Sequence, residues 1–438
     1  MVQAIELTSY QEQVRRLADQ IVEAQRPIRI REAIKWDDSV EQQVLSSKFQ
    51  ELPRIDRHYY QDRRPLPYDG TAKIEEFAEL EREVLATLGA GDPMGDILAR
   101  NCREYQLVVR MLLARGTAEF YDFSRQLYGS PKDCFAGDTT TIRELGMLLH
   151  EILAGIPEDR LGAMHPRTLT AEEVVDRLNE RFGRYFHDQA VHARLDDGIL
   201  SDAAAGADYV KIRRGIMFSE RDLDLLEVHE GWVHVGTSLN GARQPVARWL
   251  AKGPPCTMAI QEGLAIIVEV MTFNATCTRA SKLNNRILAC DQAEDGADFL
   301  DVCEFYRLEG YSERECFQHA QRIFRGGVVK GGAPFTKDIS YCKGFIMIYN
   351  FLRTAIRFGR PELIPLLFLG KLTLKDVSVL CRMREQGLVD PPCYVPAPFR
   401  DLNGLAMWMA YSNFFNRVNL TSIQEHYREQ FGETDTTR

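Results

Sequence analysis

The chain has 438 residues, 45% of them hydrophobic and 27% charged, with a formal net charge of −9. That is the profile of an ordinary globular protein, long enough for two or three lobes. Its dispersed basic residues give no support to nucleic-acid binding. No apolar run reaches eighteen residues and Met1–Glu6 lacks a basic n-region, so neither a membrane span nor a signal peptide is expected. The ten cysteines form no Cys-x-x-Cys pair and read as reduced thiols of a cytoplasmic protein.

In chain order, the first 185 residues read as a helical N-terminal lobe. Ser9-Tyr10-Gln11-Glu12 has the form of a capping box, followed by Val14, Leu17, Ile21 and Val22 at helical spacing. Segments 73–88, 94–114 and 140–154 are periodic, and Thr170-Ala171-Glu172-Glu173 opens a further helix. Residues 186–438 read as a second, catalytic lobe. Segments 190–195 and 207–213 have strand character and are separated by a Gly/Asp/Ser-containing connection. Ser219-Glu220-Arg221-Asp222 then caps a helix running through Leu223, Leu226, His229 and His234. After the break at Gly253-Pro254-Pro255, an apolar helix carries Glu262 among Ile260, Leu264, Ile266, Ile267 and Val268. Gly326–Gly332 is rich in glycine but lacks the Gly-Lys-Ser/Thr ending of a phosphate loop, and reads as a flexible loop bordering the cleft.

The chemistry concentrates in His229-Glu230-Gly231-Trp232-Val233-His234. Neutral imidazoles are zinc ligands, and a neighbouring carboxylate can take a proton from an activated water. Residues four apart on an α-helix lie about 40° apart around the axis, but residues five apart lie about 140° apart. One metal can therefore meet both histidines only where the helix is wound wider, as a π-bulge, between Gly231 and His234. Glu262, costly to bury in so apolar a helix unless paired or ligating, is the expected third ligand, with Glu269 two turns on as its rival. A structural zinc site would be closed by four ligands and would have no need of Glu230.

These blocks resemble a known family. His229-Glu230-x-x-x-His234, Asn240-Gly241-Ala242-Arg243-Gln244-Pro245 and Gln261-Glu262-Gly263-Leu264-Ala265 are similar to the bacterial proteins named for their QEGLA motif, often labelled flavohemoglobin expression-modulating. They also resemble the catalytic domain of the microtubule-associated tyrosine carboxypeptidases, as do Phe335-Thr336-Lys337-Asp338 and Tyr341 with Gly344, over about residues 60 to 400. The resemblance implies zinc held by His229, His234 and Glu262, with Glu230 as the catalytic carboxylate. The expected fold is α+β and mainly helical, zincin-like, with a small sheet beside the metal-bearing helix. The expected activity is a zinc metallocarboxypeptidase acting on a peptide or protein C-terminus, one ending in an aromatic residue included. Tyr341 is the candidate oxyanion donor, an aromatic core role being the alternative. Arg243 leads Arg213, Arg214 and Arg325 as receptor for the substrate's terminal carboxylate. Trp232-Val233 stand where the eukaryotic members have a small Gly-Thr pair, a departure that bears on pocket shape. Two other classes fit the same residues: a regulatory protein with a structural or vestigial metal site, and a hydrolase of non-peptide amides.

Overall fold

The computed structural model describes residues 7–156, 161, 165–199, 201–418 and 420–430; the amino-terminal reading of Met1–Glu6 lies outside them. Helices dominate. The first, Ser9–Gln25, is capped one residue earlier than the expected Ser9 box: Thr8 Oγ1 accepts from Gln11 N–H, and Gln11 Oε1 accepts from Thr8 N–H at 2.8 Å. The periodic segments become Gly70–Leu88, Pro93–Leu113 and Ile142–Ala154, and Thr170 with Glu173 caps Ala171–Tyr185 as a reciprocal box. Among the described residues no helix is long and apolar enough to cross a membrane.

The centre of the molecule is a crossing of two helices, Met258–Met271 and Ser340–Arg357. The sequence permits an unusually close approach there. A Cβ on Gly263 would sit 2.2 Å from the Gly344 carbonyl carbon, and one on Gly344 would sit 1.7 Å from the Ala259 carbonyl oxygen. Backbone therefore lies directly on backbone, and the buried flank of each helix is filled by Ile260, Leu264, Val268, Ile348 and Leu352. The same hydrophobic cluster includes Val14, Leu98 and Val108, so the largest core draws on both sides of residue 185.

The sheet is small. β1 (His192–Asp196) pairs in parallel with β3 (Tyr209–Arg213), and β2 (Ala203–Ala205) pairs antiparallel with β3, giving the order β1-β3-β2. Both expected strands are present, starting two residues later than the sequence suggested. β2 lies inside the expected connection. Three alanines carry none of the β-branched or aromatic signal that marks a strand, so tertiary pairing alone creates it. Val191, Val210 and Ile212 pack against Val174, Leu178 and Phe182 of the Ala171–Tyr185 helix. That layer seats the sheet beside the helix that starts at Ser219.

The glycine-rich segment is tied down, contrary to its reading as a flexible loop. Gly116 N–H donates to Gly326 O, Phe299 N–H to Val329 O and Gly332 N–H to Ala293 O. Gly331 and Gly332 take positive φ values of 91° and 78°, which is why glycine is needed at those corners.

Candidate metal centre

Ser219 and Asp222 form the capping box that opens Glu220–Leu226, and the chain then continues as a π-helix over Glu227–Val235. The N–H of Gly236 reaches back five residues to Gly231 O, the bond that defines this winding. Room for it comes from Gly231, where a Cβ would lie 2.4 Å from the Phe182 ring. Glu227 is fixed from outside by Arg181 at 2.8 Å. The wider helix expected from the five-residue spacing is what forms.

Its consequence is that His229 and His234 face each other, with Nε2 atoms 3.2 Å apart and rings nearly perpendicular at 84°. Glu262 Oε2 lies 3.6 Å from the first Nε2 and 3.5 Å from the second. Ligand atoms about 2.0–2.1 Å from a tetrahedral zinc are about 3.3–3.4 Å from one another, so the three observed separations are those of one tetrahedral face. Glu262 is 3% exposed, yet its Oε2 has no hydrogen-bond partner among the described residues. A buried carboxylate oxygen facing two imidazole nitrogens fits a metal ion, and these three residues can hold one.

The residues behind the group explain its rigidity. With Nε2 turned to Glu262, His229 Nδ1–H donates to Glu269 Oε1 at 2.5 Å. Glu269 is gripped in turn by Arg279, whose Nε and Nη2 donate to its two oxygens at 3.0 and 2.8 Å. Glu269, the rival ligand in the sequence, thus orients the imidazole, as carboxylates behind metal-bound histidines do. A second node ties the two ligand-bearing helices together. Lys371 Nζ donates to His234 O (2.9 Å), Thr237 Oγ1 (2.9 Å) and Gln261 Oε1 (2.8 Å). Neither Lys371 nor Arg279 is close to the motif in sequence, and neither carries a local signal.

Glu230 is held by the sheet, close enough for its charge to act on His229. Ala205 N–H, on edge strand β2, donates to its Oε2 at 2.7 Å. The strand that was hidden in sequence is therefore the one that holds this carboxylate. Trp232 stacks on Tyr185 (5.2 Å, 14°) and Val233 is wholly buried in the core, so both side chains fill space behind the helix. The Asn240–Pro245 block is a structural lock: Asn240 donates to Phe368 O and Tyr394 O and accepts from Cys393 N–H and Tyr394 N–H.

On the far side of Glu262 stands a cationic wall. Lys337 Nζ is 3.7 Å from Glu262 Oε1 and 5.4 Å from the Tyr341 ring centroid, and the Arg286 guanidinium lies 4.8 Å over that ring. Asp338 accepts two hydrogen bonds from Arg322, at 2.7 and 3.0 Å. Arg243 is engaged elsewhere, with Asp188 at 2.5 Å and over the Tyr394 ring at 5.9 Å. Arg214 is bound to Glu172 and Asp197.

The electrostatics follow from this layout. Burial opposes charge on His229, but Glu262 and Glu269 outweigh it and raise its pKa to about 10, the mark of a pocket that attracts a cation. Burial would raise Glu269; Arg279 and His229 hold it at about 2 instead. Burial and Glu262 push the Tyr341 hydroxyl up, while Lys337, Arg286 and Arg322 bring it below the ordinary phenol value. Lys371 is brought down to about 7 by burial, against the pull of Glu262 and Glu230.

The family described as microtubule-associated tyrosine carboxypeptidase matches residues 42–417, most of the chain, and the chain belongs to that family. No curated protein matches it.

Proposed function

We propose that this member of the carboxypeptidase family is a zinc enzyme that releases the last residue of a peptide or protein, with tyrosine or another aromatic residue as the first terminal residue to test. The observation that carries the proposal is the tetrahedral face made by His229, His234 and Glu262, with Glu230 on the same π-helix held by an edge strand. Bound there, zinc supplies Lewis-acid polarisation of the scissile carbonyl and brings the pKa of water to about 7.

The remaining steps belong to side chains of this chain. Glu230 accepts the proton of the attacking water and returns it to the leaving amine. The Ala205 N–H donates to Oε2 of that carboxylate and so keeps it aligned. Tyr341, its hydroxyl made more acidic by the surrounding cations, donates to the developing oxyanion, a contribution typically of about 2.7–4 kcal/mol. Arg286 and Lys337 receive the substrate's terminal carboxylate, since both present charge to the Tyr341 ring beside Glu262. Arg243, the leading candidate in sequence, has its guanidinium on Asp188. β2 offers an edge along which an extended chain can lie.

The test is metal content measured by elemental analysis together with residue release from peptides varied at their last position. Wild type should carry one zinc per chain and His229→Ala should lose it. Glu230→Gln should keep the metal and lose roughly 10²–10⁴ in kcat. Wild type purified without chelators that carries no metal, or that frees no terminal residue, overturns the reading.

A further inference from the structure

Arg325 follows the helix Glu313–Phe324 and precedes the glycine-rich loop. It is 6% exposed, and its Nε is enclosed without a partner. Among the described residues its guanidinium takes part in no ion pair and donates no hydrogen bond; its one contact of this kind is the face of Phe335, 5.7 Å away. Most buried charges are paired, because an isolated one costs several kcal/mol to desolvate. The carboxylate within its field is Asp338, already held by both arms of Arg322 and flanked by Arg286 (3.9 Å) and Lys337 (3.8 Å). Cations therefore outnumber acceptors here. Burial and then Arg322 lower the pKa of Arg325 to about 10.

The surroundings narrow what can answer that charge. Phe335 packs against Phe120 and Tyr128, which makes the wall aromatic. Gly326 has no room for a Cβ, which would lie 2.2 Å from the Phe120 ring, so the backbone next to Arg325 is pressed against that ring. A phosphate would need a nest of free backbone N–H groups. Five of the seven N–H groups of Gly326–Gly332 are spent, which leaves no run of them free to form one: Gly326 on Tyr60 Oη, Gly327 on Phe324 O, Val328 on Ala333 O, Gly331 on Val328 O and Gly332 on Ala293 O. One unpaired guanidinium against aromatic walls suits a single, weakly hydrated negative charge. Arg31, exposed and close enough for its charge to act on both Arg325 and Tyr128, lies on the solvent side.

We propose that Arg325 is the receptor for a small monovalent anion, a halide or a carboxylate, held against the wall of Phe120, Tyr128 and Phe335 and reached past Arg31. The proposal is independent of the peptidase reading, because it concerns a group that touches none of the three metal-binding side chains.

The experiment is thermal unfolding of the full chain in sodium gluconate, with chloride, bromide or acetate exchanged in at constant ionic strength. Wild type should gain a saturable rise of a few degrees in Tm, on the order expected for a ligand binding the folded state alone. A response to chloride and bromide assigns a halide, and a response to acetate assigns a carboxylate. Arg325→Met should show no rise, and without the anion its Tm should equal or exceed that of wild type, since an apolar isostere replaces an unpaired buried charge. Should that variant fail to fold, broadening of the chloride-35 resonance by wild type, reversed by bromide or acetate, reports the same site. Equal Tm responses to every salt overturn the proposal and leave Arg325 solvated by water alone, as does a chloride linewidth that wild type leaves unchanged when acetate too gives no rise in Tm.

Discussion

Two buried polar zones meet at Tyr341, and they are built in opposite ways. On the metal side the residues that support the ligands are paired within the chain: His229 on Glu269, Glu269 on Arg279, and Gln261 and Thr237 on Lys371. Glu262 Oε2 lacks a hydrogen-bond partner among the described residues and faces the two imidazoles, while Trp232 Nε1 and Tyr185 Oη are enclosed without one behind the π-helix. On the other side, beyond Arg286, the pattern reverses. Both ring nitrogens of His319, the Tyr306 hydroxyl, Asn285 Oδ1, Arg286 Nε and Arg325 Nε are enclosed without hydrogen-bond partners among the described residues. The first zone spends its hydrogen bonds on fixing geometry, as a site must when ligand atoms have to hold position to a fraction of an ångström. The second leaves several buried polar atoms unpaired by the chain itself.

The contrast can be broken at its strongest point first. Gly344→Ala forces a Cβ into the Ala259 carbonyl, where neither backbone can give way. It should cost about 3 kcal/mol or more in denaturant unfolding, and retain little metal after dialysis. Unchanged stability would show that the helix crossing is slack and that the closed zone does not depend on it. Glu269→Gln leaves the fold and the ligands in place but weakens the grip on His229. Zinc affinity measured against a competing chelator should fall by roughly 10–100-fold.

His319 sharpens the other half of the comparison. Burial, followed by repulsion from Lys282, Arg286 and Arg322, holds its pKa at about 2, against about 6.5 for a free imidazole. Above pH 6.5 both folded and unfolded chains leave it neutral. Below that value the unfolded chain binds a proton that the folded chain refuses, so stability falls as pH drops from about 6.5 toward 2. His319→Phe keeps the stacking with Tyr306 at 4.9 Å and removes this proton. The stability lost by wild type between pH 7.5 and 5.5 should then shrink by about 1.4 kcal/mol, read from urea midpoints at the two pH values. A variant with the same acid slope as wild type would mean that the zone admits enough water to charge the ring.

Much of the metal side is legible in the sequence alone. The one-residue excess in His229-x-x-x-x-His234 has a single geometric remedy, and Glu262 is conspicuous because nothing apolar around it can satisfy a carboxylate. What escaped reading was whatever depends on chain segments far apart. Lys371 reaches Thr237 and Gln261 across more than a hundred positions, and Arg286 meets Tyr341 from a different helix. β2 was invisible for another reason: Ala203–Ala205 has no intrinsic strand preference and exists because β3 offers it an edge. Thr8 displaced Ser9 as the first helix cap since the Thr-x-x-Gln pairing satisfies two backbone donors at once.

The π-helix also sets the phase of everything downstream. A helix carrying one additional residue presents its next turn about 100° from where an uninterrupted α-helix would. Asn240 is keyed to that rotated position through all four of its amide bonds, and Gly241 slides past Leu250 with no space for a Cβ. Deleting one residue between Gly231 and Val233 would restore the familiar four-residue histidine spacing while turning this lock out of its keyhole. The unusual spacing is thus enforced from both ends of the helix, and a shortened motif would gain a commoner signature at the expense of the chain's own register.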